Sequence, residues 1–170
     1  MKNEELLISK FQHIFIMLHH AIMMNDIKRV KHFLSDELFQ KYSLFLQNLT
    51  VQHERQMYDE LNVKSSRILQ VETTSNEKRI TVEIISRYMD YIVDKDTMQY
   101  KRGVNTHRVE KRNILVFEKK LGIEENSNTV SCCNCGAPLD IHYTGVCSYC
   151  KETTSRKNCD YILVSLKTDI

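Results

Sequence analysis

Hydrophobic residues in the first third of the chain recur at helical spacing. Between residues 6 and 24 they return every three or four positions, which predicts a helix with a broad buried stripe. Asp26 is expected to cap a short second helix, because Asp is a favoured residue at helix N-termini. Ser35 repeats the capping signal. It predicts a third helix whose apolar pattern extends as far as Leu61.

Beyond Leu61 the pattern changes from helical spacing to alternation. Four segments are predicted to be strands on this basis: residues 63–72, 80–93, 98–101 and 109–119. Gly103 is expected to mark a bulge or bend between the last two. Residues 161–166 return to strand composition, and because they are too short to fold alone they are expected to pair with the earlier sheet. Helices followed by an antiparallel meander predict an α+β fold, with the helices covering one face of a curved sheet.

Two C-x-x-C motifs near the C-terminus have the spacing of a zinc ribbon. Cys132 and Cys135 form the first motif, and Cys147 and Cys150 form the second. Four thiolates complete a tetrahedral shell without an open position, so the predicted Zn²⁺ is structural. Disulfide or redox use is the alternative, which the reducing cytosol disfavours. The two remaining cysteines, Cys133 and Cys159, receive no assigned role.

Charge and composition say little about partners. The chain has 24 Lys and Arg against 22 Asp and Glu, so its net charge of +2 gives no general bias toward nucleic acid or anionic membranes. A local excess of basic residues lies between positions 101 and 120. A solvated strand face is the simpler interpretation of this excess. The alternative is an anionic-surface contact through Arg108, Lys111 and Arg112.

The N-terminal sequence predicts neither a signal peptide nor a membrane-spanning helix. It begins with acidic residues, and polar residues interrupt the apolar run that follows. We therefore expect a cytoplasmic protein, with peripheral membrane association as a further expectation.

The order of several short motifs resembles a known family. These motifs are Asn25-Asp26-Ile27, Leu34-Ser35-Asp36-Glu37-Leu38, Ile80-Thr81-Val82, Met89-Asp90-Tyr91-Ile92-Val93-Asp94 and Cys135-Gly136-Ala137-Pro138-Leu139-Asp140. Together they resemble bacterial proteins carrying a domain like subunit forty-four of the mitochondrial inner-membrane import translocase, in the nuclear transport factor two-like superfamily. The resemblance implies a cone-shaped domain over residues 1–128, a zinc ribbon inserted at 129–159, and a closing strand at 160–170.

The resemblance also implies a function. It predicts a non-catalytic binding or scaffold module that docks a protein, a peptide or a lipid, and a homodimer through the exposed sheet. An enzyme of the isomerase or hydratase type is the alternative, with Asp90 and His107 as candidate catalytic groups and Tyr88 and Tyr91 beside them in a pocket. Nucleic-acid contact through the ribbon is a third hypothesis, but its basic residues are offset by nearby acidic ones.

Overall fold

The computed structural model describes residues 2–120, 130–131, 138–139, 148–151 and 161–169. Three helical segments come first: α1 (Lys2–Met23), a 3-10 helix (Ile27–Phe33) and α2 (Asp36–Val51). The strands are β1 (Glu54–Thr73), β2 (Glu77–Asp94), β3 (Tyr100–Lys120), β4 (Val130–Ser131), β5 (Pro138–Leu139) and β6 (Ile162–Asp169). This order of helices before strands is the segregation that the sequence predicted.

Four of the strands form one antiparallel sheet in the order β1-β2-β3-β6. The helices pack on one face of this sheet, which confirms the predicted α+β class and is consistent with a nuclear transport factor two-like fold. The expected pairing of the last strand is confirmed by the β3–β6 ladder. The side chain of Ser35 caps α2, and its backbone N–H donates to the carbonyl oxygen of Leu163 at 2.9 Å. This hydrogen bond connects the helices to β6.

The core lies between α1 and the inner face of the sheet. Phe11 of α1 stacks on Phe117 of β3 with ring centroids 3.9 Å apart, and neither side chain is exposed. The core-facing positions of β2 are Ile80, Val82 and Ile84, all buried. Burial of each such side chain contributes about 1.5–3 kcal/mol relative to exposure, so this layer supplies most of the driving force for packing the helix on the sheet.

Several predicted boundaries were wrong. α2 does not run to Leu61, because His53 adopts a left-handed conformation (φ 55°) that turns the chain into β1. The two strands expected at 98–101 and 109–119 are one continuous strand, β3. The Asp26 side chain does not cap the 3-10 helix, since its carboxylate instead accepts a hydrogen bond from Arg29 Nε at 2.8 Å.

Two bulges bend the sheet near Tyr88. In β1 the pairing moves from Asp59↔Met89 to Asn62↔Arg87, which leaves one extra residue on β1. In β3 residues 105–108 leave the ladder between its pairings with Tyr88 and Asp90. Bulges increase local bending and twist. The sheet is therefore bent and twisted at this level, next to Tyr88.

Gly103 lies beside the second bulge, as the sequence predicted, and close packing requires a glycine there. Its φ is 103°, and an added Cβ would approach the carbonyl oxygen of Asp90 to 2.5 Å. Any other residue would therefore push β2 and β3 apart at this point.

The α1 helix is more apolar than the sequence analysis expected. Within the described residues it has the length and composition to cross a membrane, with a mean hydropathy of 1.3 over its most apolar stretch. Core helices meet the same criterion. Here Phe11, Phe15 and Leu18 are fully buried against the rest of the fold, which accounts for the composition.

Candidate functional site

A cavity of about 360 Å³ lies between α1, α2 and the face of the sheet on which the helices pack. His19 and Ile22 line it from α1, and Tyr42 and Phe45 line it from α2. The sheet contributes one or two side chains from each of its four strands: Tyr58, Tyr88, Asp90, Lys111, Leu166 and Thr168. Its size lies within the range of about 300–1,000 Å³ that is usual for small-molecule sites.

Asp90 and Lys111 form an ion pair in the wall of this cavity. The Lys111 ammonium donates to Asp90 Oδ2, and Gln56 Nε2 donates to Asp90 Oδ1 at 2.7 Å. The Lys111 side chain is only 10% exposed, and its Nζ lies 4.9 Å from the centroid of the Tyr88 ring. A buried ammonium requires such partners, because desolvation without them is costly.

Aromatic rings pack around His19 at the inner end of the cavity. The Phe15 ring lies 4.2 Å from the His19 ring, the Tyr58 ring 4.8 Å and the Tyr88 ring 5.5 Å, measured between centroids. His19 Nδ1 lies 2.8 Å from the carbonyl oxygen of Phe15. A carbonyl only accepts, so Nδ1 carries the proton and Nε2 is left as an acceptor.

Burial shifts the ionisation of these side chains. Desolvation lowers the pKa of His19 to about 4, with its hydrogen bond to Phe15 and the charge of Asp90 opposing the shift. Burial raises the pKa of Tyr42 to about 12. It also raises the pKa of Tyr58 and of Tyr88, with the negative charge of Asp90 adding to both. At neutral pH the histidine is therefore uncharged and the three phenols keep their protons.

The structure brings together some of the pocket residues expected from the sequence and separates others. Tyr88 and Asp90 both line the cavity. Tyr91 points to the opposite face of the sheet, where its hydroxyl donates to Asp59, a bond that raises the pKa of Tyr91 to about 12. His107 is exposed in the β3 bulge, with Nδ1 3.0 Å from the hydroxyl of Thr106.

The three cations proposed for an anionic-surface contact do not share a surface. Lys111 faces the cavity, whereas Arg112, the next residue of the strand, faces the other side and donates to Glu83 at 2.6 Å. Arg108 lies at the bulge with its Nε 3.8 Å from Glu60. Each cation already has a carboxylate partner, so this segment does not present one continuous positive patch.

Sequence reasoning missed His19, Tyr58 and Gln56 as site residues. His19 is one of the polar residues that interrupt the apolar run of α1, although it follows Phe15 by one helical turn and so lies on the buried face. Tyr58 and Gln56 fell within the predicted extension of α2, where helical spacing hid their true position on β1.

Most of the predicted zinc ligands lie outside the described residues, namely Cys132, Cys135 and Cys147. Cys150 is half-buried at the end of a turn, and Lys151 after it has a left-handed backbone with a φ of 65°. The short strands β4 and β5 pair antiparallel through Val130↔Leu139 and Ser131↔Pro138. They bracket residues 132–137, the segment that contains the first cysteine motif.

The helices packed on one face of an antiparallel sheet, with a cavity between them, define the class of fold. The family model described as "Tim44-like domain" matches residues 3–129, three quarters of the chain. The chain therefore belongs to the Tim44-like domain family, as the order of its motifs indicated. No curated protein matches it.

Proposed function

We propose that this protein is a non-catalytic binding module that holds its ligand in the cavity between α1, α2 and the sheet. The observation that carries the proposal is the lining of that cavity. Aliphatic and aromatic side chains make up six of its eleven lining residues, and the rest are polar or charged, a mixture found in ligand sites. Membership of the Tim44-like family agrees with a protein or lipid partner.

The polar groups of the cavity favour binding over catalysis. General bases work best when their pKa lies near the working pH. The His19 pKa of about 4 makes it a weak base, and Asp90 is already engaged by Gln56 and Lys111. His107, the other base of the enzyme hypothesis, lies outside the cavity.

A cavity-filling substitution tests the proposal. Nile red, a neutral apolar dye, is expected to bind the full chain with one-to-one stoichiometry and enhanced fluorescence. Leu166→Trp places a much larger side chain in the cavity and is expected to abolish this binding. Ile162→Trp is the matched control, because Ile162 lies on the same strand but outside the cavity lining and is 38% exposed. Equal dye binding by both variants would overturn the proposal.

We also propose that Cys132, Cys135, Cys147 and Cys150 hold one structural Zn²⁺. The C-x-x-C spacing supports this, as does the antiparallel β4–β5 pair on either side of the first motif. The left-handed Lys151 supports it too, since a residue in this conformation commonly follows a tight turn. Metal analysis of the purified chain is expected to give one zinc per chain. The zinc should be lost in the variant Cys135→Ser. A wild-type chain that is folded but contains no metal would refute the assignment.

A further inference from the structure

The cavity wall has more hydrogen-bond donors than acceptors. Tyr42, Tyr58 and Tyr88 line the cavity, and none of their hydroxyls has a hydrogen-bond partner within the described part of the chain. The Lys111 ammonium has three N–H groups. Among the described residues it meets one acceptor, Asp90, and the face of one ring, Tyr88. These donors are accessible to water in the cavity, since none of them is among the buried unpartnered atoms of the described residues. The site is therefore suited to a ligand whose acceptor oxygens replace that water.

The acceptors of the wall are largely occupied. Both carboxylate oxygens of Asp90 already receive hydrogen bonds, one from Gln56 and one from Lys111. The hydroxyl of Thr168 donates to Asn113 Oδ1 at 2.9 Å. His19 Nε2 and the oxygens of the tyrosine hydroxyls can still accept, and His19 Nε2 lies beside the rings of Tyr58 and Tyr88. A cationic ligand such as an ammonium would meet two lysines, and Asp90, the carboxylate among the lining residues, is already paired with Lys111.

The net charge of the lining also favours an anion. Two lysines line the cavity, the exposed Lys41 and the buried Lys111, and Asp90 is the single carboxylate among the lining residues. With His19 neutral at pH 7, two cations and one anion leave a single positive charge. This matches a monoanion better than a phosphate monoester, which carries close to two negative charges at this pH.

We infer that the cavity binds a small apolar monocarboxylate, with its carboxylate accepting hydrogen bonds from the Tyr58 and Tyr88 hydroxyls and from Lys111. Its hydrocarbon part lies along Ile22, Phe45 and Leu166 toward the mouth. A cavity of about 360 Å³ suits one short chain or one aromatic acid and is too small for a two-chain lipid. The inference rests on the proposed function and specifies its ligand class.

Calorimetric titration of the full chain with three probes of equal chain length tests this inference. Decanoate is expected to bind one-to-one and about tenfold or more tightly than decanol, since hydrogen bonds to a charged group are the stronger ones. Decyl phosphate is expected to bind more weakly than decanoate. The preference for decanoate over decanol is expected to fall severalfold in Tyr58→Phe and again in the double variant Tyr58→Phe/Tyr88→Phe.

The matched control is Tyr100→Phe, which removes the hydroxyl of an exposed tyrosine outside the cavity lining and should leave the preference unchanged. Equal affinity for decanol and decanoate, or a preference for decyl phosphate, would overturn the inference. If Leu166→Trp still blocks Nile red in that case, the binding cavity stands and only the ligand class is wrong. If no probe binds at all, including Nile red, the proposed function fails as well.

Discussion

The buried histidine of the cavity is expected to make the folded protein less stable at acidic pH. His19 is 5% exposed, and its ring is enclosed by Phe15, Tyr58 and Tyr88. Burial lowers its pKa from 6.5 to about 4. Lys111 and His20 add to this shift by charge repulsion, whereas Asp90 and the hydrogen bond to Phe15 oppose it. The unfolded chain therefore takes up a proton at this position at a higher pH than the folded protein does.

The direction and the size of the pH effect on the free energy of unfolding follow from this difference in pKa. Between pH 6.5 and 4 the unfolded state binds more protons, so the free energy of unfolding falls as the pH falls. A shift from 6.5 to about 4 corresponds to about 3 kcal/mol in total. About 2 kcal/mol of this is expected to be lost by pH 5. Well above pH 6.5 the ring is neutral in both states, so the same group contributes no pH dependence there.

Urea unfolding of the wild type and of His19→Asn at pH 7, 6 and 5 measures this effect. Asparagine has an amide in place of Nδ1 and no proton to gain, so the variant should be less stable at pH 7 but lose less stability on acidification. Burial also lowers the pKa of His32, but both proteins retain His32 and its contribution cancels in the comparison. His13→Gln removes an exposed histidine of the same helix that takes no part in the His19 shift, and it should behave as the wild type. Identical pH dependence in the wild type and His19→Asn would refute the reasoning.

Three further substitutions test other parts of the structure. Phe117→Ala removes the buried partner of Phe11 and should cost about 3–5 kcal/mol in urea unfolding, and a loss below 1 kcal/mol would contradict the stacked core. Ser35→Ala removes the side-chain cap of α2 and should cost about 1 kcal/mol, whereas an unchanged midpoint would count against the cap. Lys151→Gly relieves a left-handed residue worth about 1–2 kcal/mol and should strengthen zinc retention in a chelator competition; weaker retention would contradict the proposed knuckle.

Much of the architecture is predictable from local pattern. Helical spacing in the first third of the chain and alternation beyond Leu61 decide the α+β class. Ser35 caps α2 as predicted, and Gly103 lies at the β3 bulge as predicted. Each of these signals depends on a residue type with a strong local preference.

The wrong boundaries and the unpredicted site residues have physical causes that local sequence patterns do not show. His53 and Glu60 adopt left-handed conformations although neither is glycine, so the end of α2 and the β1 bulge carry no sequence signal. The separation of Lys111 from Arg112 was predictable, because neighbours in a strand point to opposite faces. The histidine of the cavity was not predictable as a site residue. Its role depends on Tyr58 and Tyr88, which approach it only through the tertiary fold.

Entry of the ligand into the cavity lined by His19 is tested most directly by nuclear magnetic resonance of histidine-labelled protein. Titration with decanoate is expected to shift the ring resonances of His19 while leaving those of His107, exposed in the β3 bulge, in place. Shifts at His107 with an unperturbed His19 would place binding elsewhere and contradict the account.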